Sequence, residues 1–481
     1  MLLPPLHRLA CGTPVLAAAV LLAACSTQPA YERPALPMPA TYKEAAAATA
    51  SGVWQPAQPG GTVPEAWWAL YGDATLNAMQ QQASADNQNI ALSLARLRAA
   101  QAAVAGSSAG QLPSVGASLS SGRARSGSTL ADGSSTARVS TSHALGLNAS
   151  WEVDLWGRIA GTVDAARASA EASAADLAAM RLSVQAAVAQ TYFSLRAAES
   201  QARLLRETLQ AYDRSWALTR NRQKAGVASA ADVAQAEAQY KSTQVQLLEA
   251  ETSRTQLEHA LAALVGQAPA AFSLPVTATL PAPPVVPAQL PSQLLERRPD
   301  IAAAERRVAA ANAQIGVARA AFFPALTLSG TAGYRGTELS NLLSAPNLFW
   351  SLGPALAVSL LDGGARTAAV ESARAANEQA AATYRQTVLT ALQEVEDNLA
   401  AAAALAQEQQ WQTEAVAAAQ RALEVVNNQY RAGTVGYLNV LTAQTTVLSA
   451  QRSLIDVRNR RLAAVNALLK NVAGSWDSGP M

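Results

Sequence analysis

The sequence predicts a mainly α-helical fold with a β-barrel contribution, built from two copies of one unit. Residues 162–225 and 365–432, stretches of about 64 and 68 residues, contain neither glycine nor proline. At 1.5 Å of rise per residue, each stretch would form a helix about 100 Å long, whereas helices of globular proteins average about 11–12 residues. A pair of alternating, strand-like segments precedes each stretch. Helices of that length beside membrane-type strands indicate a conduit rather than a compact enzyme.

The composition favours long helices over a thick apolar core. Half of the 481 residues are hydrophobic, but alanine supplies most of them and aromatic residues make up only 5%. Alanine is the best helix former and buries little surface. The formal net charge is +2 and both signs are interspersed, so we expect no nucleic-acid partner.

Residues 1–24 have the features of a bacterial lipoprotein signal peptide. The apolar stretch 15–24 is too short to cross a bilayer as a helix, and it ends in Leu-Ala-Ala before Cys25. Cleavage would leave Cys25 as the first residue, carrying a covalent lipid, and Ser26 behind it favours transfer to the outer membrane. The alternative is an ordinary secretory signal with a chance cysteine. The mature chain would hold one cysteine and therefore no disulfide.

A long internal repeat relates the two halves of the chain. The Ala-Gly sequences that end the two long helices, at Gly226 and Gly433, lie 207 positions apart. A unit of this length indicates a duplicated half-protein, because solenoid repeats are far shorter. The predicted divisions are an extended arm (25–66), a first repeat (67–266), a proline-rich connector (267–293), a second repeat (294–474) and a C-terminal tail (475–481). Each repeat should contain a helix, two strands, the long helix and a return helix.

Four segments alternate between an apolar face and a face of small polar residues, with the period of two that a half-buried strand shows. The predicted strands cover about residues 112–121, 138–155, 324–334 and 348–361, and residues 122–137 and 335–347 should form the loops of two hairpins. This pattern over about ten residues is typical of a transmembrane barrel. A water-soluble sheet with one face on a core has the same local pattern.

The number of strands implies that several chains share one barrel. Single-chain barrels begin at about eight strands, and the unpaired edges of an open sheet would lack hydrogen-bond partners in lipid. Two copies would give eight strands and three would give twelve. Eight strands would leave little lumen.

The helices should form two hairpins in each chain. Apolar residues recur at steps of three, four and seven, as at Val184, Val188 and Leu195, which predicts coiled-coil-like packing of antiparallel neighbours. Gly226 and Gly433 break the long helices, and a return helix of about 37–39 residues follows each of them. A closed ring of such hairpins would continue the barrel as a tube.

Several motifs together resemble those of a known family. They are the signal ending at Cys25, Trp67-Trp68 with Gly72-Asp73, Leu-Leu-Glu-Arg-Arg-Pro-Asp-Ile at 294–301, Ala-Arg-Ala-Ala-Phe-Phe-Pro at 318–324 and the two Ala-Gly-Val/Thr tips. Over nearly the whole mature chain, the sequence resembles the TolC-like outer membrane factors, and most closely the efflux outer membrane lipoproteins of the OprM/NodT type.

This resemblance implies a homotrimer in the outer membrane of a Gram-negative bacterium. It would have a twelve-stranded barrel, four strands per chain, and a twelve-helix periplasmic tunnel. The chain would be the passive exit duct of a tripartite, RND-type multidrug efflux system, with a periplasmic adaptor and an inner-membrane pump as partners. The alternatives are a channel for type I protein secretion or metal efflux, or a lipid-anchored structural coiled coil of the envelope.

The resemblance also assigns residues to two regions. The residues expected to dock the adaptor are Lys224, Ala225, Gly226 and Val227 on one tip and Arg431, Ala432, Gly433 and Thr434 on the other. The alternative is that these glycines merely turn the chain. Tyr430 and Asp232 match a tyrosine–aspartate link that would hold the periplasmic gate shut. The family's acidic constriction falls on Asn439 and Thr442, and its gate arginine on Val435, so this chain lacks those charges.

Nothing in the sequence predicts catalysis, a metal site or a cofactor other than the lipid on Cys25. The mature chain has two histidines, His143 and His259, and neither has a cysteine or histidine at metal-ligand spacing. Residues 106–110 fit the Gly-x-Ser-x-Gly pattern of a nucleophile elbow, but no strand precedes them. No Walker loop is present, so transport energy must come from another component.

Overall fold

The computed structural model describes residues 27–55, 65–129, 135–277, 279–287 and 297–473. The predicted signal peptide, Cys25 and the C-terminal tail lie outside these ranges. The α-helices within them are α1 (Ala45–Ala50), α2 (Ala74–Asp86), α3 (Gln88–Ala109), α4 (Arg158–Lys224), α5 (Ala230–Leu264), α6 (Pro299–Ala320), α7 (Ala365–Arg431) and α8 (Tyr437–Val472). The strands are β1 (Trp54–Gln55), β2 (Ser114–Thr129), β3 (Ser135–Val153), β4 (Val286–Pro287), β5 (Ala325–Gly336) and β6 (Leu348–Ala357). Among the described helices, none is both long and apolar enough to cross a membrane.

The chain divides into two compact units. The sheet unit contains Leu97–Ser173 and Ala304–Tyr384 together with the described residues up to Pro34. The hairpin unit contains Ala35–Arg96, Ala174–Ala303 and the described residues from Arg385 onward. The predicted mainly helical fold with a small sheet is confirmed.

In the sheet unit, four antiparallel strands follow one another in the order β2-β3-β5-β6. The register pairs Ala117 with Leu147, Leu147 with Ala332 and Ala332 with Trp350. Because directly paired residues share a face, the apolar sets of all four strands fall on the same side. Leu352 and Trp350 are 79% and 75% exposed, so no other described part of the chain covers this face. The opposite face carries mostly serine, glycine, threonine and asparagine.

The first strand hairpin is longer than the sequence predicts. Residues 122–137 were expected to be a loop, but β2 and β3 remain paired from Ser114↔Ser150 to Thr129↔Ser135. The alternation of side chains reports only the half-apolar part of a strand, whereas pairing depends on backbone N–H and C=O groups that serine and glycine also supply. The loop prediction was therefore wrong for most of this segment.

The first helix is also different from its prediction. A single helix was expected from Asp73 to about residue 105, but the structure divides it at Asn87 and continues it to Ala109. The backbone of Asn87 is extended, and its side-chain oxygen accepts hydrogen bonds from the amides of Asn89 and Ile90 at 2.9 and 3.2 Å. Its side-chain amide donates to the carbonyl of Leu264 at 2.7 Å. Asn87 thus ends α2 and caps α3 because a distant helix end holds its side chain.

Buried ion pairs fix the connector to the hairpin unit. Arg196 and Glu199, whose side chains are 2% and 1% exposed, form an ion pair of 2.7 Å. Arg196 also donates to the carbonyl of Pro275 at 2.8 Å, and Arg254 donates to the carbonyl of Leu274 at 2.9 Å. Since a charge is buried only when it is paired, the connector's carbonyls complete a site that the helices alone leave open.

Candidate functional site

The two tips, which join α4 to α5 and α7 to α8, have the same backbone geometry. Gly226 and Gly433 have φ of 76° and 77°, a left-handed conformation that side chains disfavour. Gly226 N–H donates to the Gln223 carbonyl at 2.9 Å and the following amide reaches back to the Arg222 carbonyl at 2.8 Å. The second tip repeats these bonds from Gly433 and the residue after it. Both are Schellman motifs.

The turning role of the two glycines is therefore a physical necessity. A Cβ atom at either position would meet nothing within 4 Å, so backbone conformation alone selects glycine. The eight residues predicted to dock an adaptor are all exposed. Turning the chain and presenting an accessible surface are compatible roles.

The two return helices begin differently. Ser229 and Asp232 form a capping box at the start of α5. The Asp232 carboxylate accepts from the Ser229 amide at 3.0 Å, and the Ser229 hydroxyl accepts from the Asp232 amide at 3.1 Å. Gly436 precedes α8 without any side-chain cap. The tip carrying the predicted gate residues thus starts with fewer local restraints.

An aromatic cluster lies at the gate positions. Tyr430 and Tyr437 are 8% and 3% exposed and pack with Ala236 and Val440. The two tyrosine rings meet edge to face, with centroids 5.9 Å apart. The Arg222 guanidinium lies 4.5 Å from the centre of the Tyr430 ring and donates to the Tyr430 carbonyl at 3.4 Å. Arg222 therefore links the end of α4 to the end of α7.

The predicted pairing of Tyr430 with Asp232 is not made within this chain. In the described part of the structure, the Tyr430 hydroxyl is buried without a hydrogen-bond partner, and the Asp232 carboxylate serves the capping box. The hydroxyl of Tyr437 instead shares a hydrogen bond of 3.3 Å with Ser215. Burial, with the nearby Tyr430 and Asp232, raises the pKa of Tyr437 and outweighs the opposite effect of Ser215.

A second aromatic group lies near the same cluster and was missed in the sequence. Trp216 and Tyr240 stack with ring centroids 5.5 Å apart. Arg220 lies 5.1 Å from the Trp216 ring and Lys241 lies 5.6 Å from the Tyr240 ring. The paired spacing of a basic residue next to an aromatic one in α4 and α5 was the available signal. It ties the two helices of the first hairpin together.

Asn439 and Thr442, the positions of the family's acidic constriction, are exposed on α8. Thr442 borders an open groove of about 680 Å³ that is lined by hydroxyl and amide side chains, including Gln239, Gln412 and Thr446. The Thr442 hydroxyl donates to the Leu438 carbonyl of its own helix at 2.9 Å. This groove wall carries hydrogen-bonding groups without formal charge.

The remaining candidate motifs occupy ordinary structural positions. Residues 106–109 lie in the last turn of α3, with no strand before them. His143 lies within β3, and His259 is exposed on α5. Within the described ranges, no three histidine, cysteine, aspartate or glutamate residues are grouped as metal ligands would be.

Comparison with known proteins is consistent over the length of the chain. The profile of the outer membrane efflux protein family matches residues 79–267 and 290–474. Outer membrane protein OprJ of Pseudomonas aeruginosa is 32% identical, with 98% of each chain covered. Cation efflux system protein CusC of Escherichia coli is 28% identical, covering 95% of this chain and 97% of its own. The structure of the outer-membrane channel OprN superposes with a TM-score of 0.85 at 29% identity, covering 94% of this chain and 99% of the other.

The family match spans both repeats, and the structural likeness extends over the sheet and the hairpins. The predicted recognition, the outer-membrane location and the absence of enzymatic activity agree with these findings. This chain belongs to the outer membrane efflux protein family, whose members are non-enzymatic outer-membrane channels.

Proposed function

We propose that three copies of this chain form a passive exit duct across the outer membrane. The observation that carries the proposal is the four-stranded sheet with an exposed apolar face. Its outer strands, β2 and β6, each have one edge that no other described strand pairs. Such edges cannot face lipid unpaired, and pairing β6 of one copy with β2 of the next satisfies them. Three copies give a closed barrel of twelve strands.

The hairpins extend the duct on the periplasmic side, and their tips form its gate. Tyr430 and Asp232 lie at this end together with Asn439 and Thr442. In the closed duct, Arg222 holds the tip of the second hairpin against that of the first through the Tyr430 ring and carbonyl. A gate wall of Asn439 and Thr442 carries no ring of carboxylates, so cations are neither concentrated nor trapped there.

The exposed tips dock a periplasmic adaptor, which connects the duct to an RND-type pump of the inner membrane. Lys224 and Arg431 surround the two turns, and Val227 is 65% exposed between them. An apolar side chain surrounded by basic groups suits an amphipathic partner with acidic residues at its rim. Cys25 carries the lipid that holds the mature N-terminus in the membrane.

The exported substrate is a drug-like small molecule chosen by the pump. A second candidate, metal-ion efflux, has specific support in the similarity to CusC, which is named a cation efflux system protein. Type I protein secretion remains a further alternative for a duct of this fold. Drug and metal susceptibilities of a deletion strain, with the gene restored on a plasmid, separate these functions.

The duct itself is tested with the purified mature protein in detergent. We expect a trimer by light scattering and ion conduction after reconstitution into planar bilayers. A protein that stays monomeric, or a trimer that never conducts, contradicts the shared barrel. Mass spectrometry of the N-terminal peptide tests the lipid, with Cys25→Ser as the unmodified control.

A further inference from the structure

Two glycines in the sheet unit lie in helices, where glycine is among the least favourable residues. Gly316 is inside α6 and Gly161 is in the first turn of α4. Neither has a positive φ, so backbone conformation does not require glycine at these positions. Gly106, a third helical glycine, faces open space. The space around the first two glycines is different.

The N-terminal arm occupies the space beside both glycines. A Cβ at Gly316 would lie 2.5 Å from the Gln28 Oε1, 2.6 Å from its Cδ and 3.0 Å from its Cα. A Cβ at Gly161 would collide with the end of the Gln28 side chain and lie 3.1 Å from Val317. The Gly161 conflict involves mainly a flexible side-chain end, whereas the Gly316 conflict reaches the arm's backbone. Gly316 therefore forms the tighter part of the seat.

Polar contacts hold the rest of the arm along α6. The Thr27 hydroxyl lies within hydrogen-bond distance of the carbonyls of Trp156, at 2.8 Å, and Gly316, at 3.3 Å. The side-chain amide of Asn312 donates to the Pro29 carbonyl at 3.1 Å, and the Tyr31 hydroxyl donates to Glu305. The contacted positions 316, 312 and 305 are spaced by four and seven and so share one helix face. The arm runs antiparallel to α6.

The arm's first described residues lie beside an aromatic pair. Trp156, which accepts from Thr27 through its carbonyl, stacks on Phe323 with centroids 4.7 Å apart. The Trp156 indole donates to the Pro324 carbonyl at 2.8 Å. Phe323 and its neighbour Phe322 are 42% and 44% exposed. Exposed aromatic residues next to membrane strands are typical of the membrane–water interface.

We propose that residues 27–33 bind an intramolecular seat on α6, shaped by Gly316 and Gly161, which fixes where the lipidated N-terminus enters the membrane. Cys25 lies two residues before Thr27, so their Cα atoms can be at most about 7 Å apart. The lipid is thereby held next to Trp156 and Phe323. The placement of the lipid rests on the proposed lipidation, whereas the seat itself does not.

Limited proteolysis with Glu-C tests the seat in the purified mature protein in detergent. Glu32 lies in the arm, is exposed and should be cut slowly while the arm is bound. We expect Gly316→Ala to accelerate cleavage after Glu32 at least tenfold, measured as appearance of the chain beginning at Arg33. Cleavage after Glu338, in the loop after β5, provides the internal reference.

Three further variants make the test selective. Gly106→Ala should change the rate less than twofold, and adding Gln28→Ala to Gly316→Ala should restore most of the protection by removing the colliding atoms. Cys25→Ser, which lacks the lipid, should remain protected. Unchanged cleavage in Gly316→Ala, or equal acceleration in Gly106→Ala, overturns the seat. Fast cleavage in Cys25→Ser would show that the lipid holds the arm instead, even if the protein is lipidated as proposed.

Discussion

Replacing Arg222 with alanine should open the periplasmic gate more often. Arg222 is half-buried and is the one described group found to bridge the ends of α4 and α7 through Tyr430, by a ring contact of 4.5 Å and a hydrogen bond of 3.4 Å. The substitution removes both contacts without disturbing the Schellman turn, which uses the Arg222 carbonyl rather than its side chain.

The expected magnitude follows from the two contacts. A cation over a mostly desolvated tyrosine ring contributes about 1–2 kcal/mol, and a long hydrogen bond to a carbonyl adds at most about 1 kcal/mol. Their loss should weaken the closed tip by roughly 2 kcal/mol per subunit, or about 30-fold in the closed-to-open ratio. Three subunits that open together would multiply this effect.

Single-channel recording in planar bilayers measures the open fraction directly. Wild type, Arg222→Ala, Arg222→Lys and Tyr430→Phe should be compared at one salt concentration. Lysine keeps the charge but not the planar guanidinium, so Arg222→Lys should fall between wild type and alanine. Tyr430→Phe keeps the ring and the carbonyl and removes a hydroxyl that has no partner in the described chain, so it should leave the open fraction nearly unchanged.

Two outcomes would refute this reasoning. One is an unchanged open fraction in Arg222→Ala. The other is a Tyr430→Phe channel that opens as often as Arg222→Ala. That second result would favour the hydroxyl link to Asp232, formed between subunits, as the lock on the gate.

Three other substitutions test separate features. Gly433→Ala should lower the stability of its tip by about 1–2 kcal/mol, because alanine resists the left-handed backbone, and faster hydrogen exchange of the following amide should report it. Asn439→Asp combined with Thr442→Asp should make the open channel more cation-selective and sensitive to block by trivalent cations, measured by reversal potential and conductance. Burial opposes the ionisation of Asp300, but its hydrogen bond and charge pairing with Arg298 lower its pKa below the usual value. The resulting stabilisation is present above about pH 4 and is lost as the pH falls through the folded pKa, so Asp300→Asn should flatten the fall of the unfolding temperature below pH 4.

Each of these tests has a matched control. Gly433→Asn should lose less stability than Gly433→Ala, since asparagine tolerates the left-handed region, and equal losses would contradict the backbone argument. Asn439→Gln with Thr442→Ser should keep the neutral wall, and a cation block in that variant would place the constriction elsewhere. Glu338→Gln, in an exposed loop, should leave the acid dependence intact. An unfolding temperature of Asp300→Asn that falls like the wild type would dismiss the Arg298 pairing.

Prediction from sequence succeeded where one residue or one period carries the signal. The long helices α4 and α7 follow from the absence of glycine and proline, the shared apolar face of the strands follows from a period of two, and both tips follow from single glycines. Prediction failed at Asn87 and over residues 122–137. The carbonyl of Leu264, which lies 177 residues away, positions Asn87, and backbone pairing extends β2 and β3 where side chains show no alternation.

The candidate site divides in the same way. Its position at Gly226 and Gly433 was predictable, and so was the place of Tyr430 within it. The Arg222 contact to Tyr430, 208 residues apart in sequence, was not predictable, and the nearer-seeming carboxylate of Asp232 is taken by its own helix cap.

The sequence by itself determined the helices, the repeat, the strand alternation and the turns at the tips, because those features depend on backbone preferences within a few residues. Only the tertiary structure decided which side chains bridge the tips, which carbonyls complete the buried Arg196 site and which glycines accommodate the arm. Those contacts join residues that are distant in sequence, and their energies depend on packing distance and desolvation, which local patterns do not encode.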